Sequence, residues 1–138
     1  MFYYFDWGVI MAKEILQILL LAAASDGQID PEEQQLLETY RKHYPPIRDL
    51  SQEEFNSEAV SVFNKINAGM KPQHIVEIIG EQLSDNEKNT AYALAVEICA
   101  ANFAIVPPEN DFLTCIETQW KIKKKIIEAV KLSSQLRY

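Results

Sequence analysis

An all-α fold is predicted by three features of this chain. Glycine is scarce, at 4 of 138 residues, whereas Ala, Leu, Ile, Glu and Gln, most of which lose little on entering a helix, are abundant. Apolar residues recur at helical spacing in segment after segment, and no segment alternates apolar with polar for long enough to read as a strand. Three helix-start signatures set a capping residue three positions ahead of a glutamate: Asp30 with Glu33, Ser51 with Glu54, and Ser84 with Glu87. At this length the chain reads as one domain, residues 1–138, with residues 1–10 as a candidate N-terminal arm.

The elements follow in order. A first helix runs from Phe5 or Met11 to Ala24, apolar nearly all round (Ile15, Leu16, Ile18, Leu19, Leu20, Leu21), which is the pattern of a buried helix. Ser25-Asp26-Gly27 ends it, because glycine takes the left-handed conformation of helix exits without strain. Asp30-Pro31 starts a second helix that reaches Lys42, with Leu36, Leu37 and Tyr40 inward. The prolines of "HYPPIRDL" break the pattern. A third helix, capped by Ser51, carries Phe55, Ala59, Val62, Phe63 and Ile66 and stops at Ala68-Gly69. Lys71-Pro72 opens a fourth with Ile75, Ile78, Ile79 and Leu83. Ser84 caps a fifth, to Asn102, whose latter half is almost wholly apolar. Pro107-Pro108 opens a sixth, to Gln119, and a seventh spans Trp120 to Ser133. The expectation is about seven helices built on two central buried ones.

Composition narrows the function. Thirteen basic residues against 20 acidic give a net charge of −7, which disfavours a nucleic-acid binder that works by neutralising phosphates. It suits a cation or a basic partner. Cys99 and Cys115 form no CxxC pair and sit in apolar surroundings, as buried free thiols of a reducing compartment do. The run from Ile15 to Ala24 is too short to span a bilayer, and "MFYYFDWGVIM" lacks the basic start of a signal peptide. Cytoplasmic residence is the expectation. Met11 is a candidate alternative start.

The stretch "ASDGQIDPEEQQLL" (24–37) poses the sharpest question. With Gly27 laid on the invariant glycine of a calcium loop, Asp26, Asp30 and Glu33 fall at ligand positions, but Ala22 and Ala24 stand where the opening carboxylates belong. A true calcium loop is excluded. The same residues also read without a cation, as a helix exit, a core plug at Ile29 and an N-terminal cap. A faint internal repeat sets "CAANFAIVPPENDFL" beside the first loop, with Ile29 on Val106, Pro31 on Pro108, Glu32 on Glu109 and Leu36 on Leu113. It adds Glu109 to the candidate ligands Asp26, Asp30 and Glu33.

A buried Ala-rich helix followed by Asp-Gly-x-Ile-x-Pro-Glu-Glu, and a second capped buried helix in "LSDNEKNTAYALAVEICAA", resemble the TerB-like tellurite-resistance family over about Ile15 to Leu132. The resemblance implies a small helical domain whose two acidic loops form a metal-binding face, with a stress-associated role. In the second loop the expected Asp-Gly and Glu-Glu are replaced by Phe103-Ala104 and Glu109-Asn110, so that only Glu109 is kept there.

Other chemistry is thin. His43 and His74 stand alone, and no phosphate loop, nucleophile elbow or HExxH motif occurs. The tail "WKIKKKIIEAVKL" is basic and amphipathic, with Ile122, Ile126, Ile127 and Val130 on one face and Lys123, Lys124, Lys125 and Lys131 elsewhere. It reads as a helix packed on the core with a solvated basic face, or as a surface for a peripheral membrane contact or an acidic partner. The aromatic start (Phe2, Tyr3, Tyr4, Phe5, Trp7) covers the core or forms a homodimer contact. The functional expectation is a non-enzymatic module that binds a protein partner and a divalent cation (Ca2+, Mg2+ or Zn2+) through 26–33. The alternatives are an interaction scaffold with a degenerate metal site and an unrecognised hydrolase, which would need a pocket of convergent polar groups.

Overall fold

The structure, a computed structural model, describes residues 3–25, 31–43, 45–101 and 105–137. Those residues are all helix and turn, with no strand among them, so the predicted all-α class holds. They form α1 (Tyr3–Ala23), α2 (Pro31–His43), α3 (Pro45–Arg48), α4 (Gln52–Asn67), α5 (Pro72–Gly80), α6 (Asp85–Ala100), α7 (Pro107–Gln119) and α8 (Lys124–Arg137).

Two of these elements depart from the expected list. The "HYPPIRDL" break contains α3, a single turn begun by Pro45. Proline is well tolerated in a first helical turn, where its missing N–H had no partner to lose. Its Ile47 is buried and α3 packs on α1 and α2. The expected seventh helix begins four residues late. α7 closes at Trp120 with two bonds that satisfy its last carbonyls, Lys121 N–H to Thr118 O at 3.3 Å and Ile122 N–H to Glu117 O at 3.1 Å. Lys121 takes the left-handed position that glycine usually fills (φ 52°), and α8 restarts at Lys124.

α1 has no polar face from Ile15 to Ala23 apart from Gln17, and there it is enclosed. It packs most extensively against α6, and also against α3 and α4. α6 buries Tyr92, Val96 and Ile98 together with Ala91, Ala95 and Cys99, small residues that let helices approach closely, and the Cys99 Sγ lies 3.9 Å from the Ala22 carbonyl of α1. Both predicted serine caps form. Ser51 Oγ accepts from the Glu54 N–H at 3.0 Å and Glu54 Oε1 accepts from the Ser51 N–H at 3.0 Å. The Ser84–Glu87 box repeats this at 3.3 and 2.6 Å. Gly69 (φ 95°) closes α4 where the sequence placed its stop.

α5 is clasped to the end of α7 by one contact. Trp120 Nε1–H donates to the Val76 carbonyl at 2.9 Å, and the indole is packed against Gly80, where any Cβ would meet its Nε1 and Cδ1. A second clasp joins three helices. The buried Tyr92 hydroxyl of α6 donates to Glu117 Oε2 of α7 at 2.6 Å, and Lys131 Nζ of α8 reaches the same oxygen at 3.2 Å. Burial, and then the neighbouring Glu117 carboxylate, push the Tyr92 phenol far above its ordinary value.

Candidate functional site

The expected ligand set does not assemble from the described residues. Asp26 and Asp30 lie outside them. Glu33 and Glu109 are described, and both are fully buried rather than displayed on an acidic face. The reason is their position in the helix. α2 starts at Pro31 and α7 at Pro107, so each glutamate is the third residue of its helix, where the side chain can turn back toward the chain entering the helix. In α7 this is seen directly: Glu109 Oε1 accepts from the Val106 N–H at 3.0 Å. Valine has no oxygen to return the favour, so only half of a capping box forms. Glu109 Oε2 is buried with no hydrogen-bond partner among the described residues. Among the described residues no three His, Cys, Asp or Glu side chains cluster as a metal site would.

These helix starts also shift the register of the expected repeat by one residue. Pro31 corresponds to Pro107, Glu33 to Glu109 and the buried Leu37 to the buried Leu113, whereas the sequence pattern alone pairs Glu32 with Glu109. Glu32 is exposed and Glu109 buried, which is the physical ground for the shift.

A concavity among the described residues lies elsewhere. A cleft of about 530 Å3 runs between α4 and α7, floored by the end of α1 and the start of α5. That volume is within the range of ligand and peptide pockets, about 300–1,000 Å3. Val62, Phe63 and Ile66 form one wall, Pro108, Phe112 and Cys115 the other, with Leu21 beneath. Ser25, Gln73 and Asp111 are the polar groups at its edge. The Ser25 hydroxyl is already committed to the Ala22 carbonyl at 2.8 Å. Cys115 is a half-buried free thiol, and burial pushes it above its ordinary value, the reverse of an activated nucleophile. Neither histidine lines the cleft, and both are exposed. Sequence reasoning missed this cleft because its walls come from segments nearly fifty residues apart, and each wall residue reads as ordinary core.

The basic tail divides in two. Lys123, Lys124 and Lys125 are exposed as expected, Lys123 preceding α8 rather than riding on it. Lys131 is different: it is turned onto Glu117 in the three-helix clasp and is no part of a free basic face. Ile122, Ile126, Ile127 and Val130 pack on the core, as a helix docked by its isoleucine face requires. What the sequence did not single out is the opposite face, where Leu132 and Leu136 stand 57% and 78% exposed. They lie one turn apart, in line with the exposed Ala129 and Lys125. Among the described residues no helix is long and apolar enough to cross a membrane.

No family model, curated protein or solved structure matches the chain.

Proposed function

We propose that the protein is a non-catalytic, cytoplasmic helical module of TerB-like kind that binds a protein partner by receiving an apolar, basic-flanked segment in the cleft between α4 and α7. The cleft itself carries this reading: an apolar floor and walls, with Asp111 exposed at the rim and no histidine, fit a side chain better than a reaction. The net charge of −7 favours a basic partner segment. The stress-associated role comes from the resemblance alone. The test uses a synthetic amphipathic helical peptide with leucines four apart and flanking lysines. Saturable binding that slows reaction of the Cys115 thiol, and is lost in Phe63→Asp, is the expected result. A peptide that neither binds nor protects Cys115 overturns the reading.

A second reading, a divalent cation held at 26–33 by Asp26, Asp30, Glu33 and Glu109, is favoured by one observation, the buried Glu109 Oε2 without a hydrogen-bond partner among the described residues. One oxygen is not a donor set, so the described residues alone do not make the site. Calorimetric titration of chelator-stripped protein with Ca2+, Mg2+ and Zn2+ decides it. Saturable binding lost in both Asp26→Asn and Glu109→Gln supports the cation, and flat traces leave Glu109 a helix-capping side chain.

A further inference from the structure

We infer that the occupant of the α4–α7 cleft is the C-terminal helix of a second copy of this chain, inserted through Leu132 and Leu136; the inference rests on the cleft being a partner site.

Charge points to a second copy. Residues 121–137 carry six basic side chains and one acidic, whereas residues 1–120 carry seven basic and nineteen acidic. Each molecule therefore has a basic end and an acidic body, an arrangement that attracts the tail of one copy to the body of another. Shape agrees. Leu132 and Leu136 sit about 6 Å apart along the helix axis, at 1.5 Å per residue. The cleft wall from Pro108 to Cys115 spans about 10 Å on the same measure, and Asp111 lies at its edge for Lys125 or Lys124 to approach. The helix cannot fill its own cleft. Its inner face is held on the body by the core contacts of Ile126, Ile127 and Val130, on α7 by Lys131 to Glu117 at 3.2 Å, and on α6 by Arg137 to Glu97 at 3.6 Å. The leucines point away from that seat and remain exposed.

An anionic membrane suits the same leucines less well. The strongly acidic body is repelled by anionic headgroups, and Ile126, Ile127 and Val130 of α8 are already used on the core, so it lacks the broad apolar face of an interfacial helix. The proposed contact joins two different surfaces. It is head-to-tail, and unless a ring closes it adds copies as concentration rises.

Sedimentation velocity across micromolar to millimolar protein tests the inference in three chains: the wild type, Leu132→Asp/Leu136→Asp, and Phe63→Asp. All substituted positions are exposed or nearly so, with Phe63 37% exposed, and circular dichroism checks that each variant is folded. The wild type is expected to associate, and to do so at least about tenfold less well when salt rises from 0.01 to 1 M and the screening length falls from about 30 to about 3 Å. Each variant alone is expected to stay monomeric, while a mixture of the two forms a capped 1:1 dimer, since each keeps one intact surface. In that mixture the Cys115 thiol of the leucine variant becomes protected, and the fully buried Cys99 gives no background. A wild type that remains monomeric overturns the inference, as does a mixture that fails to pair. If the basic peptide still binds the cleft in that case, the partner reading survives without self-association; if it does not, both fail. Co-sedimentation of wild-type monomer with phosphatidylserine vesicles, lost in the leucine variant, would replace the second copy with a lipid surface.

Discussion

Single residues decide more of this fold than its uniform helical composition suggests. Gly80 ends α5 against the Trp120 indole, and an added methyl would meet its Cδ1 at 2.7 Å. The ring can yield only by giving up its 2.9 Å bond to the Val76 carbonyl. Gly80→Ala is therefore expected to cost about 2–4 kcal/mol, the sum of overpacking and a lost buried hydrogen bond, measured by urea unfolding. Lys121 presents the opposite case. It occupies a left-handed position that costs a residue with a Cβ about 1–2 kcal/mol. Lys121→Gly removes that strain and adds somewhat less unfolded-state entropy, so a gain of about 0.5 kcal/mol is expected. A loss would mean that the lysine side chain contributes something beyond its backbone. The buried Glu33 and Glu109 belong at this scale too. A glutamate three residues into a helix looks in sequence like an exposed charge, and only the direction of its side chain makes it interior.

At the level of elements, what was legible was local. The Ser51–Glu54 and Ser84–Glu87 boxes and the Gly69 stop each depend on contacts within four or five residues, and all three form. The end of α7 at Gln119 was legible, but the delay of α8 to Lys124 was not, because a lysine in place of glycine gives no signal of a left-handed turn. The role of Lys131 was hidden for another reason: its partner Glu117 lies fourteen residues back on another helix. That clasp carries its own prediction. Tyr92→Phe keeps the ring in its seat but removes the donor to Glu117, which retains Lys131. A loss of about 1–2 kcal/mol is expected at neutral pH, from a hydrogen bond to a charged group. The pH dependence has a definite sign. The folded phenol is held protonated above its ordinary value of 10.0, so this stability is fully present below about pH 10. Above that, the unfolded chain releases its proton first and stability falls. The alkaline slope should be steeper in the wild type than in Tyr92→Phe; equal slopes would show that Tyr92 titrates normally.

For the whole molecule, the all-α class was readable because amphipathic periodicity and capping agree along the chain, whereas the cleft was not, since α1, α4, α5 and α7 meet there only after folding. Charge is the one global property that sequence gives outright, and it divides at residue 120, acidic before and basic after. Since α8 lies on α6 of the acidic body, this division acts within a molecule before it acts between molecules. Substituting Lys121, Lys123, Lys124 and Lys125 with Gln removes exposed side chains with no core contact, so packing is left intact. What changes is the attraction between this end of the chain and the acidic body, together with the exposed 4.0 Å pair of Lys124 with Glu128 within α8. Four exposed charges at about 0.2–0.5 kcal/mol each amount to about 1–2 kcal/mol at low salt, which for a domain of this size lowers the melting temperature by about 3–8 °C. At 1 M salt the screening length is about 3 Å and the difference should vanish. Thermal melts of both chains in the Leu132→Asp/Leu136→Asp background, which removes the proposed contact between copies, isolate this intramolecular effect. A deficit that persists at high salt would assign the lysines a packing role that their exposure contradicts. No deficit at low salt would mean that the acidic body exerts little pull on its own tail, and the charge argument for a second copy would lose its footing as well.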